Sequence, residues 1–146
     1  MNSISLDQAS LIADQALNKG REAKLSPLTV AVLDAGGQLK VLKREDNASL
    51  LRPEIAIGKA WGVLGMGFGG RELARRAELV PTFFAALNAM SDGRMVPVAG
   101  GVLIKNSEGH VVGSIGISGD TSDNDEICAV HGVKAAGLIP DTGRPE

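Results

Sequence analysis

Tyrosine is absent, and only four aromatic side chains occur: Trp61, Phe68, Phe83 and Phe84. Platforms on which bases could stack are therefore nearly missing. No block of lysine or arginine stands out either, and the formal net charge is −2. Nucleic acid is not an expected partner. A single cysteine, Cys128, rules out a disulfide framework. No apolar run approaches the roughly 18 residues needed to cross a bilayer, so no membrane association is expected. The Met1–Asp7 segment lacks the basic and apolar regions of a secretory signal. A cytoplasmic location is the expectation, and the Asn47-Ala48-Ser49 sequon reads as accidental. Neither a phosphate-binding G-x-x-x-x-G-K-[ST] loop nor a G-x-S-x-G elbow is present.

What is abundant is glycine, 19 in 146 residues. The glycines follow no three-residue period, which excludes collagen. The length suits one domain spanning residues 1–146, large enough to bury roughly 68% of its unfolded surface. Ser5 and Gln8 form a capping box ahead of an amphipathic helix carrying Ala9, Ile12, Ala13, Ala16 and Leu17, which Gly20 is expected to stop. Leu28–Leu33 and Gln38–Lys43, joined by Asp34-Ala35-Gly36-Gly37, predict a β-hairpin. Pro53 opens a helix to about Met66, and helical pieces follow over Arg71–Leu79 and Pro81–Met90. A second hairpin runs over Gly100–Lys105 and His110–Ser118, and a last helix over Asn124–Ala136. Hairpins rather than β-α-β crossovers imply an α+β domain with a mainly antiparallel sheet.

Gly65-Met66-Gly67-Phe68-Gly69-Gly70 matches G-x-G-x-x-G, but a helix precedes it where the dinucleotide fingerprint needs a strand. A turn between helices is the better account. On the last strand Val111, Gly113, Ile115 and Ile117 are assigned one face; Val112, Ser114, Gly116 and Ser118 are assigned the other. A face that small admits a close helix or leaves room for a ligand, and close packing is the commoner reason. The polar run Ser118 to Glu126 reads first as helix capping and second as a substrate site; it is no EF-hand loop. Cys128 and His131 lie one helical turn apart, a spacing that metal binding allows, yet two ligands do not complete a zinc shell and no metal is expected. Lys59, set among Ile55, Ala56, Ala60 and Val63, either snorkels or is drawn into a pocket toward Arg44 or Asp46.

Two stretches then carry a family likeness. One is Val98-Ala99-Gly100-Gly101-Val102-Leu103-Ile104, continued by Val111–Gly119 and by Asp125-Glu126-Ile127-Cys128-Ala129 with Gly132. The other is Val32–Leu39 with Arg44, Asp46 and Lys59-Ala60. Together they resemble the HbpS/GlcG family of haem-degrading-domain proteins, which includes the C-terminal domain of PduO-type corrinoid adenosyltransferases. The likeness covers roughly Asp7 to Leu138. It departs from the family pattern at Leu103, Asn47 and His131, where proline, a small residue and a small residue are usual.

The resemblance implies a profilin-like or PAS-like α/β/α sandwich whose five-stranded antiparallel sheet takes its fifth strand from about Met95–Ala99. It implies a homo-oligomer, dimer or higher, with an accessory role in a catabolic pathway. The expected ligand is haem, a corrinoid or a small organic acid, held between sheet and helices by Arg44, Asp46, Lys59, Ser118, Asp125 and Glu126, with His131 at the edge. Haem enters through the resemblance alone. One alternative is an enzyme on a small catabolic intermediate, using Lys59, His131 or Asp125 as acid or base. The other is a structural oligomer assembled through the Gly58/Gly62 helix face and the small strand face.

Overall fold

The computed structural model describes residues 2–145. Helix α1 spans Leu6–Glu22, with the Ser5 hydroxyl accepting from the Gln8 N–H and the Gln8 side chain returning the bond. It runs past Gly20, because that glycine is an interior packing position rather than a stop. A Cβ there would lie 2.5 Å from Leu28 Cδ1, and Lys24, at φ 58°, turns the chain instead. Strands β1 (Thr29–Asp34) and β2 (Leu39–Arg44) form the first hairpin. Helices α2 (Arg52–Met66), α3 (Gly70–Leu79) and α4 (Pro81–Met90) follow. Then come β3 (Gly101–Lys105), β4 (Val111–Ser118), α5 (Ser122–Ala135) and β5 (Ile139–Asp141). Helix α5 starts two residues early because the Thr121 hydroxyl caps it at the Asn124 N–H.

The sheet is antiparallel, in the order β2-β1-β4-β3-β5. Its fifth strand is the Ile139–Asp141 segment beside β3, not Met95–Ala99. The latter is a loop that hydrogen-bonds to α2 through the Val96 N–H and the Gly58 carbonyl, 3.2 Å. Pro140 is tolerated in β5 because the strand lies at the sheet edge. A register shift between Ile104 and Lys105 also exchanges the expected faces of Val111 and Val112. Val112 joins Ile115 and Ile117 in one core, while Val111 packs toward the other.

Helices α1 and α5 cover one sheet face through Ile12, Ala16, Val30, Val32, Ile115, Ile117 and Val133. Helix α2 covers the other, with α3 and α4 outside it. The small strand face serves close packing: a Cβ at Gly116 would stand 2.0 Å from the Ala56 carbonyl oxygen, and one at Gly101 2.6 Å from that of Lys59. Between them the Ser114 hydroxyl donates to the Ala60 carbonyl, 2.7 Å. Gly58 and Gly62 are consumed inside the chain as well, against Val96 and Met95. The assembly role expected for these glycines therefore has no surface to act through. No helix among the described residues is long and apolar enough to cross a membrane.

Gly116→Ala should lower the unfolding free energy by about 1–3 kcal/mol, since backbone rather than a flexible side chain must yield. Gly65→Ala, in the same helix layer but with nothing within 4 Å, should be neutral or gain up to about 1 kcal/mol. Urea denaturation of the two variants checks the contrast.

Candidate functional site

The polar chemistry gathers where β4 ends. Lys59 reaches there from α2: its Nζ donates to the Ile117 carbonyl at 2.8 Å and stands 3.3 Å from Asp125 Oδ2 of α5. The two side chains are only 4% and 1% exposed, so the pair is sealed. Asp125 Oδ1 accepts from the Asp120 N–H at 3.0 Å. Burial pushes the Lys59 amine down, against the pull of Asp125, and the Arg52 charge adds to the lowering. Burial likewise pushes the Asp125 carboxyl up, against Lys59. The pair clamps the two helix layers together around the end of the sheet.

A polar row crosses the same end. Arg44 of β2 pairs with Thr29 of β1, which pairs with Ser118 of β4, and paired residues share a sheet face. That face is the one beneath α2. Arg52, in the first turn of α2, donates to the Ser118 hydroxyl at 3.0 Å and to the Ser49 hydroxyl at 3.1 Å. Arg44 donates to the Ala48 carbonyl at 2.9 Å. Thr29 is fully buried, and its hydroxyl has no hydrogen-bond partner. Arg44 and Arg52 thus contact only neutral oxygens, and neither has a carboxylate partner among the described residues. Arg44 also opens onto a cleft of about 490 Å³ with Asp46, Asn47, Glu45, Arg21 and Pro27. Asn47 takes the left-handed backbone, φ 70°, which asparagine tolerates where most side chains do not.

The seven residues expected to share one pocket divide into four places. Lys59, Ser118 and Asp125 meet at the strand end, and Arg44 stands beside them across the row. Asp46 lines the open cleft. Glu126 lies in a separate cluster, 2.7 Å from Arg71 Nε and 3.1 Å from Arg144. Its charge is answered inside the chain, where Arg71 also meets Asp123. His131 is exposed on α5 and lines none of the five described cavities. Lys59 and Asp125, two of the three candidate acid or base residues, are almost wholly buried. Thr29 and Arg52 were not legible as site residues. Their only signals are a hydroxyl opening an apolar strand and an arginine immediately before the helix-opening Pro53.

Haem is the cofactor that the resemblance implies, and no buried donor among the described residues is placed to hold its iron. Cys128 is buried beside Gly20, and burial pushes its thiol up to about 11, away from the thiolate that would bind iron. His110 and His131 are exposed, and tyrosine is absent. Met95 lines a groove under α4, but its Cγ and Sδ pack onto Gly62 in the core. No cluster of three or more His, Cys, Asp or Glu able to hold a metal occurs among the described residues.

With this geometry in place, comparison with known proteins gives the following. The family model described as haem degrading protein HbpS-like matches residues 4–134. The corrinoid adenosyltransferase PduO of Citrobacter freundii is 27% identical over 123 residues, covering 84% of this chain and 36% of that protein. The chain therefore spans little more than a third of that relative. An uncharacterised 15.0 kDa protein from the dhaT-dhaS intergenic region of the same organism is 28% identical, covering 86% of this chain and 87% of its own length. Among solved structures, the PduOC:heme complex superposes with a TM-score of 0.83 at 24% identity, covering 97% of this chain and 99% of that one. A double mutant of Streptomyces reticuli HbpS gives 0.79 at 25%, covering 92% and 87%.

Removing one member of the clamp should cost more than removing both. Lys59→Met leaves a buried carboxylate unpaired and should lose about 3–5 kcal/mol of unfolding free energy, whereas Lys59→Met with Asp125→Leu recovers most of it. With Lys59 gone, the Asp125 carboxyl rises further above its unfolded value. The deficit is then fully present at neutral pH and shrinks as acid protonates the folded carboxyl. Denaturation at neutral and acidic pH reads both effects.

Proposed function

The chain belongs to the HbpS-like family of haem degrading proteins, and from that premise we propose that it binds a small organic acid at the strand end. The reading has it act as a single domain and a cytoplasmic homo-oligomer, accessory to a catabolic pathway. One observation carries it: Arg44 and Arg52 end the row that runs through the unbonded Thr29 hydroxyl and Ser118, and neither has a carboxylate partner among the described residues. Two guanidinium groups facing neutral oxygens leave an unanswered positive charge, and a carboxylate answers it through paired, charge-assisted hydrogen bonds. The first turn of α2 adds its N-terminal dipole at the same point. The acid approaches along the Arg44 cleft, where Asp46 and Asn47 supply an acceptor and an amide for a hydroxyl or carbonyl next to its carboxylate.

A small acid differs from the heme of the PduOC:heme complex. The supporting contrast is chemical: the guanidinium groups suit an anion, while no buried donor among the described residues is placed to hold an iron centre.

Calorimetric titration with glycolate, lactate and succinate should give saturable binding by at least one of them. Arg44→Met and Arg52→Met should each weaken that binding at least about tenfold, with thermal unfolding unchanged, and the matching neutral amide should not compete. Hemin should produce no saturable Soret shift. Saturable hemin binding with no response to any of the acids would overturn the proposal.

A further inference from the structure

Four charged side chains line the cleft beside Arg44, and two of them answer each other. Arg21 Nε stands 2.8 Å from Glu45 Oε2, while Glu45 Oε1 accepts from the Leu28 N–H at 2.8 Å. Arg44 and Asp46 are left. Among the described residues Asp46 has no cationic partner and its carboxylate accepts no hydrogen bond; Arg44 has no carboxylate partner.

Opposite charges two residues apart commonly pair with each other, and the turn between these two keeps them from doing so. The Ala48 N–H closes that turn on the Glu45 carbonyl at 3.2 Å, with Asn47 in left-handed backbone at φ 70°. The Arg44 guanidinium is drawn instead to the Ala48 carbonyl at 2.9 Å. At the base of the turn the Glu45 N–H donates to the Leu28 carbonyl, 2.9 Å, so the backbone that carries Asp46 is pinned to the neighbouring strand's approach. A cleft of about 490 Å³ thus presents one unanswered positive group and one unanswered negative group side by side.

We propose that the acid this site takes is a zwitterion, a free 2-amino acid with an uncharged side chain, its carboxylate on Arg44 and its ammonium on Asp46. The assignment rests on the carboxylate site proposed above and names the class of acid that it binds. A 2-hydroxy acid would offer Asp46 only a neutral donor, whereas an ammonium gives it a charge-assisted hydrogen bond and a counter-charge. A third charge on the ligand finds no partner, because Arg21 and Glu45 neutralise each other across the same cleft. What remains of the lining, the Asn47 amide and Pro27, is uncharged and suits a small neutral side chain.

Calorimetric titration of the full chain with L-lactate and L-alanine tests this, since the two share a skeleton and differ in hydroxyl against ammonium. The cleft is open to water, so alanine should bind more tightly by at least about threefold, a gap that narrows at high salt. N-acetyl-L-alanine, which has no ammonium, should bind no more tightly than lactate, and L-lysine and L-aspartate should bind more weakly than alanine. Asp46→Asn should bring alanine down to the affinity of lactate, and Arg44→Met should weaken both. Circular dichroism checks that each variant is folded. A lactate affinity equal to that of alanine, a preference that survives Asp46→Asn, or lysine or aspartate matching alanine overturns the inference. If the acids bind and respond to Arg44→Met with no preference for alanine, only the zwitterion falls. If neither alanine nor any of the acids titrated above binds, the carboxylate site falls with it.

Discussion

The backbone of α2 lies so close to β4 that a Cβ at Gly116 would stand 2.0 Å from the Ala56 carbonyl oxygen. Such an approach is open only to residues that carry little, and Gly101, Ser114 and Gly116 supply that surface where the central strands pass beneath α2. Much follows from the distance. Lys59 can reach the Ile117 carbonyl and Asp125 only because its helix sits low on the sheet. The first turn of α2 comes down beside Ser118 for the same reason, bringing Arg52 within 3.0 Å of that hydroxyl. A bulkier strand would lift the helix, separate the clamp and move the guanidinium off the row. Packing and site are one constraint.

Which charges are spent and which are left over decides the chemistry. Asp125 is answered by Lys59, Glu126 by Arg71 and Arg144, and Glu45 by Arg21 and the Leu28 N–H. Asp120 is held by the Ser26 and Thr121 N–H groups and the Asn124 amide, which keep its carboxyl down at about 2. These acids serve as fasteners between segments far apart in the chain. Among the described residues Arg44 and Arg52 have no such partner, and they stand at opposite ends of the row through Thr29 and Ser118.

The sequence revealed elements better than contacts. The capping box at Ser5, both hairpins and the helix beginning at Pro53 rest on local patterns, and they fold as those patterns dictate. The fifth strand does not announce itself, because three residues around Pro140 carry no alternation to read. The register shift near Lys105 is equally silent, yet it exchanges the faces of Val111 and Val112. Glu126 looked like a ligand residue because its cationic partners lie 55 and 18 positions away, where no spacing rule reaches. Gly20 looked like a stop because its true neighbour is Leu28, just before the following strand. The row Arg44–Thr29–Ser118 exists only once three strands are in register.

The scarcity of aromatics has a further consequence. A macrocycle such as haem needs broad apolar walls and an axial donor, whereas a carboxylate needs only convergent hydrogen-bond donors and fixed charge. This chain built much of its interior from alanine, valine, isoleucine, leucine and glycine at close range. Two of its four aromatic rings, Phe83 and Phe84, lie instead on α4, edge to face, with Phe84 in the second core and Phe83 exposed. A third, Trp61, lies under Arg94 at the turn that follows that helix. Aromatic surface in this molecule is thus concentrated around α4, while Arg44 and Arg52, without a carboxylate partner among the described residues, stand at the strand end. These two features, one apolar and one cationic, are kept by the fold in separate places.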